Sequence, residues 1–238
     1  MKPHIHRDPP PALHSRMKTS RLNIFPGPRV GLAALAFFIA VVAAVDHIQQ
    51  ITSWDVRALQ WLHSGTSPLG IDILTAVSLA GSPEFLACLG LIVAVLLIWK
   101  RQRNYLAGWI VALVGGEILE SVLKLLIQRP RPEYSDPLLT HFTYSLPSGH
   151  AMTSLIAYSM FSHVLISVWK PNRAAQIGIL ATAVLLIMGI GFSRVYLGVH
   201  YVSDIVAGFA AGTFWASLCI SVTTFRQSRI RSGPERTS

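Results

Sequence analysis

PSGHAMTSLIAYSMFSHVLISVW, residues 147–169, decides the fold. Proline, serine, glycine and histidine open the stretch. The run from Ala151 to Trp169 then contains no Asp, Glu, Lys or Arg. A bilayer core asks about 20 mainly apolar residues of each helix. Five further runs are also mainly apolar: Val30–Val45, Phe85–Trp99, Tyr105–Ile127, Ala174–Phe192 and Val202–Val222. Val30–Val45 and Phe85–Trp99 are short, and flanking residues must complete them. The expectation is an all-α polytopic membrane protein of six transmembrane helices. The composition agrees, with 52% of the 238 residues hydrophobic and 13% charged, against about a quarter charged in soluble domains.

A net charge of +9 would suit a nucleic-acid binder, but its distribution does not. Six basic residues from Lys2 to Arg29 precede the first run. Lys100, Arg101 and Arg103 follow the second, Lys170 and Arg173 separate the fourth and fifth, and Arg226, Arg229, Arg231 and Arg236 follow the sixth. With six crossings all four groups share one side, which the positive-inside rule makes cytoplasmic. The other side keeps Arg57, Lys124, Arg129, Arg131 and Arg194. The expected division is a disordered basic tail at 1–29, a membrane domain at 30–224 and a second basic cytoplasmic tail at 225–238. Val30–Val45 ends in Ala43-Ala44, as a cleaved signal could, but its polar lead is long and an uncleaved anchor is expected.

Between the runs, 46–68 mixes Trp54, Leu59 and Trp61 with Asp55, Arg57 and His63, a pattern suited to an interfacial amphipathic helix. Ile71–Ala80 is apolar but too short to span, and a turn is expected at Gly81-Ser82-Pro83. Gly208 and Gly212 form a helix-packing pair. Cys88 and Cys219 fall near opposite faces and read as unpaired packing residues. His4 and His6 make a poor metal site.

The chemistry lies in three strings at helix ends, all on one membrane face. KLLIQRPRP at 124–132 closes the third run, PSGH at 147–150 opens the fourth, and SRVYLGVHYVSD at 193–204 joins the fifth and sixth. Lys124, Arg131 and Arg194 offer a point charge and two donor forks for phosphate oxygens. Ser148 is a favoured N-cap, and a helix start presents free N–H groups to anions. Gly149 lets a ligand approach the backbone, and His150 titrates near neutral pH. His200 and Asp204, four apart, would share a helix face, so that Asp204 orients one imidazole nitrogen and leaves the other for attack. Glu120 stands one turn before Lys124 and can pair with it. Glu117 lies deeper, where a carboxylate calls for explanation. Each feature alone has a structural reading, such as a snorkelling lysine, a helix cap or a helical His–Asp pair. Those readings would have to coincide at three helix ends.

The strings resemble the type-2 phosphatidate phosphatase (lipid phosphate phosphatase) family, which shares its core with vanadium haloperoxidases. The family pattern is Lys-x6-Arg-Pro, Pro-Ser-Gly-His and Ser-Arg-x5-His-x3-Asp, and every specified position matches here. The resemblance spans about residues 69–222. It implies a membrane hydrolase of a lipid phosphate or diphosphate: undecaprenyl diphosphate, phosphatidylglycerophosphate or phosphatidate. It implies His200 as nucleophile, Asp204 as its orienting group and His150 as acid and then base. Lys124, Arg131, Ser148, Gly149 and Arg194 would hold the phosphate. No metal or cofactor is implied. The expected partners are the lipid substrate and the bilayer of a bacterial inner membrane, with the site facing outward and residues 46–68 and 133–146 selecting the lipid. The alternatives are a lipid phosphotransferase with the same residues, which would pass the phosphoryl group to an alcohol, and a non-catalytic lipid-binding or transport protein, which would be indifferent to loss of His200.

Overall fold

A computed structural model describes residues 25, 27–132 and 144–232. These form eight helices: α1 (Pro28–His47), α2 (Gln49–Ser64), α3 (Pro68–Leu79), α4 (Pro83–Trp99), α5 (Arg103–Ile127), α6 (Gly149–Trp169), α7 (Arg173–Tyr196) and α8 (Val202–Arg231). No strand occurs among the described residues. Most of the expected tail at 1–29, including His4 and His6, and most of the expected lipid-selecting segment 133–146 lie outside them.

α6 is the central helix. Ala151, Met152, Ile156, Ala157, Met160 and Val164 are all buried, and α5, α7, α8 and α4 surround it. Its contact with α8 uses the two expected glycines. A Cβ at Gly208 would lie 2.8 Å from the Ser148 carbonyl and 3.1 Å from Ala151 Cβ, and one at Gly212 would lie 2.9 Å from the Met152 carbonyl. Close backbone approach therefore ties α8 to the first turns of α6. Outward residues such as Leu126 and Leu185 are about three-quarters exposed (75% and 73%), as faces meeting lipid rather than water would be.

Among the described residues five helical stretches are long and apolar enough to cross a membrane: 28–47, 68–99, 149–169, 173–196 and 202–230. Five, not clearly six, is the number this measure supports. α5 covers the third expected span but is not among the five, and its last three turns carry Glu117, Glu120 and Lys124. The short Phe85–Trp99 run is completed as expected by flanking residues, because α3 and α4 make one apolar stretch interrupted at Ala80–Ser82. Ser82 caps α4, its side chain accepting from the Phe85 N–H at 3.2 Å.

The segment read as amphipathic is helical as α2. Trp54 and Trp61 are exposed at 62% and 74%, while Leu59 is buried beside Ala151, Val195 and Ile205. At the far end α8 continues past Thr224, where the basic tail was expected to begin, to Arg231. Asn104 of α5 supports that extension, donating to the Thr223 carbonyl (2.9 Å) and to Gln227 Oε1 (3.1 Å).

Candidate active site

The site is built where the ends of α5, α6, α7 and α8 meet. α5 stops because Gln128 takes a left-handed conformation (φ 53°) and Pro130 and Pro132 cannot continue a helix. Lys124 remains in the last turn, with its ammonium 2.6 Å from Glu120 Oε1. The expected Glu120–Lys124 pair therefore forms. Glu117 faces elsewhere, onto an apolar groove between α4 and α5 lined by Leu86, Leu91, Trp109, Leu113 and Ile156.

α6 begins at Gly149, with Ser148 as N-cap. The Ser148 N–H donates to the Asp204 carbonyl at 3.1 Å, which fastens the Pro-Ser-Gly-His turn to the start of α8. The Ser148 hydroxyl makes no capping bond. It is fully buried without a hydrogen-bond partner, and so is Arg194 Nε. A Cβ at Gly149 would meet Glu120 Oε1 at 2.5 Å and Lys124 Nζ at 3.7 Å, so a side chain there would displace the carboxylate that pairs with Lys124. Arg194, in the last turn of α7, donates through one terminal nitrogen to Ser78 Oγ on α3 at 2.7 Å. Arg131 donates to the Val199 carbonyl at 3.1 Å, next to His200. His150 stands within electrostatic reach of Lys124, Arg131, Arg194 and His200.

His200 and Asp204 do come together, but not on one helical face. His200 lies in the turn before α8, whose N-cap is Tyr201. Asp204, at the third helical position, folds back, and its Oδ2 accepts from the Tyr201 N–H at 2.9 Å. The same oxygen lies 3.4 Å from His200 Nδ1. The pairing thus comes from helix capping, and it leaves His200 Nε2 as the free nitrogen. Burial pushes the His200 imidazole down to about 4. Asp204 opposes the shift, and the charges of Arg131 and Arg194 reinforce it. At neutral pH the ring is therefore uncharged and able to act as a nucleophile.

Three residues of this site carried no sequence signal read as catalytic. Arg129 donates to Asp204 Oδ1 at 2.6 Å and to Asp55 Oδ2 at 2.9 Å. Burial works to lower its pKa, but the two carboxylates outweigh that and hold it raised. Ser145 donates to Asp204 Oδ2 and lies 3.4 Å from His200 Nδ1. Asp55 comes from α2. Arg129 sat beside Arg131 in the same string, and no spacing rule separates the two by role.

Such an arrangement can place an oxyanion among three cations, beside a neutral imidazole and a second histidine. The description of the PAP2 superfamily matches residues 105–228, just over half of the chain and all three strings. The chain belongs to the PAP2 superfamily. Among similar proteins, phosphatidylglycerophosphatase B of Bacillus subtilis (strain 168) is 30% identical over 183 residues, covering 75% of this chain and 88% of the relative. Undecaprenyl-diphosphatase of Sulfolobus acidocaldarius is 32% identical over 140 residues, covering 55% and 61%. In structure, the PAP2 type phosphatidylglycerolphosphate phosphatase from Bacillus subtilis superposes with a TM-score of 0.75 at 24% identity, over 86% of this chain and 98% of that one. The fold is therefore shared. Among the described residues no group of three His, Cys, Asp or Glu is placed to hold a metal ion.

Proposed function

We propose that this membrane-embedded PAP2-family lipid phosphatase hydrolyses the phosphate or diphosphate of a membrane lipid through a phosphohistidine, without a metal. The observation carrying this reading is that His200, backed by Asp204, shares a buried corner with His150 and three cations. Two donors there, Ser148 Oγ and Arg194 Nε, have no partner among the described residues.

In the first step His200 Nε2 attacks phosphorus. The bond from phosphorus to the leaving oxygen breaks, and His150, which holds a proton once the bound phosphate offsets the charges of Lys124, Arg131 and Arg194, gives it to that oxygen. Asp204 stabilises the positive charge that develops on His200. In the second step His150 takes a proton from water, the resulting hydroxide attacks phosphorus, and the P–N bond breaks to release phosphate and restore His200. Lys124, Arg131, Arg194, Ser148 and the Gly149 amide hold the non-bridging oxygens throughout. Phosphoryl transfer is mainly positioning and charge stabilisation, which this cluster supplies.

We assign α5 as a sixth crossing. Its 25 residues reach about 37 Å at 1.5 Å per residue, enough for a bilayer. The positive-inside pattern then puts the site on the extracytoplasmic face of the bacterial inner membrane, with the basic ends at 1–29 and 225–238 in the cytoplasm. The groove between α4 and α5 offers an apolar path for the lipid chain. Similarity to phosphatidylglycerophosphatase B favours phosphatidylglycerophosphate over undecaprenyl diphosphate and phosphatidate. The test is initial-rate hydrolysis of the three lipids in mixed micelles. The highest kcat/KM is expected for phosphatidylglycerophosphate, and equal or better turnover of undecaprenyl diphosphate would overturn that choice. Release of free phosphate, with none passed to an added lipid alcohol, separates hydrolysis from phosphotransfer.

A further inference from the structure

We infer that Asp55 of α2 is a positioning residue for the nucleophile, acting through Arg129 on Asp204. The inference rests on the hydrolytic reading above and adds to it a residue far from all three strings, outside the segment that matches the superfamily.

The geometry is a buried chain of charge. Asp55, Arg129, Ser203, Asp204 and His200 are each at most 9% exposed. The guanidinium of Arg129 divides its fork. One nitrogen donates to Asp55 Oδ2 at 2.9 Å. The other donates to Asp204 Oδ1 at 2.6 Å and to Ser203 Oγ at 2.7 Å. Tyr201 closes one face of the guanidinium, with its ring centroid 4.4 Å away. Asp55 is itself fixed, accepting from the Ser203 N–H at 3.0 Å and from the Ser203 hydroxyl. It therefore sits at the N-terminus of α8, where the helix dipole favours a carboxylate.

This division decides which Asp204 oxygen serves the nucleophile. An arginine fork facing one carboxylate tends to take both oxygens in parallel. Asp55 holds one arm of the fork, so Arg129 reaches only Oδ1 of Asp204. Oδ2 is left for the Tyr201 N–H, the Ser145 hydroxyl and His200. Arg129 also accepts the Ser145 N–H on its own carbonyl at 2.9 Å. It thus fixes both groups that face His200 Nδ1. Without Asp55 the fork is free to turn onto Asp204 and draw Oδ2 away from the imidazole. The phosphate cradle of Lys124, Arg131 and Arg194 is untouched by that change.

The experiment uses purified full-length protein in detergent, with the best lipid phosphate as substrate. The variants are Asp55→Asn, Asp204→Asn, the double variant and Arg129→Lys. Asp55→Asn is expected to lower kcat on the order of 10- to 100-fold, the scale of a small misplacement of reacting groups, with KM nearly unchanged. The double variant is expected to be no slower than Asp204→Asn alone, because Asp55 acts through Asp204. Arg129→Lys keeps the charge but cannot divide a fork, and it is expected to repeat the loss in kcat. It decides the matter if Asp55→Asn does not fold. Wild-type kcat in the folded variants, or losses that simply multiply in the double variant, would overturn the inference alone. Absence of phosphate release by the wild type, or release that survives His200→Ala, would overturn the hydrolytic reading and the inference with it.

Discussion

Replacing Glu120 by glutamine tests how Lys124 is held ready for phosphate. The ammonium of Lys124 and Oε1 of Glu120 are 2.6 Å apart, with side chains only 15% and 10% exposed. Glutamine keeps the shape and removes the charge, which leaves a nearly buried cation without its counter-ion. Breaking a buried pair costs about 3–5 kcal/mol, and the residual exposure argues for the low end, about 3 kcal/mol. For a domain of this size that lowers the melting temperature by about 6–12 °C. An oxyanion in the site supplies Lys124 with a new partner and no longer meets the Glu120 carboxylate. Thermal unfolding in detergent, with and without orthovanadate, reads both effects. The expected result is a large loss without vanadate and a vanadate-induced rise that is greater in Glu120→Gln than in wild type. Equal increments in the two proteins, or an unchanged melting temperature without vanadate, would refute the account of Lys124.

Other consequences are as direct. Because burial holds His200 down to about 4, the nucleophile is neutral above that pH and is protonated only below it. The acid limb of kcat/KM due to the nucleophile should fall near pH 4 rather than near the usual 6.5, and a limb at 6.5 that follows His200 would contradict the burial argument. Asp204→Asn should lose most activity and also stability, about 3 kcal/mol or more, because it leaves Arg129 half-paired and weakens the cap of α8. A chemical denaturation curve matching wild type would show that the Arg129 pair does not hold the site together. Gly208→Val should cost about 1–3 kcal/mol through overpacking and reduce activity as well, since its side chain would push on the Ser148 carbonyl. Full activity with lowered stability would uncouple that helix contact from the site.

Much of the architecture could be read from the chain because bilayer length and apolar runs are nearly a one-to-one signal. The span count was less legible. Phe85–Trp99 is extended by α3, whose own run is too short to span, and α5 carries two carboxylates and a lysine that lower its hydropathy. The residues proposed as the phosphate cradle stood out because each sits in a short string, and Glu120 because a pair four apart on a helix is local. Arg129, Ser145 and Asp55 were hidden for the opposite reason. Their partners lie 75, 59 and 148 residues away in sequence, and nothing local distinguishes Asp55 from an ordinary polar residue of an amphipathic helix. The His200–Asp204 pair was found for a partly wrong reason: spacing suggested a shared helix face, whereas the capping turn of α8 makes the contact.

The most direct test of the account is release of inorganic phosphate by the purified protein, with a chelator present, from lipid mono- and diphosphates, beside His200→Ala. The account predicts chelator-resistant release by the wild type and none by the variant, with the variant still folded. Release that survives His200→Ala, or that stops when metal is removed, would contradict it.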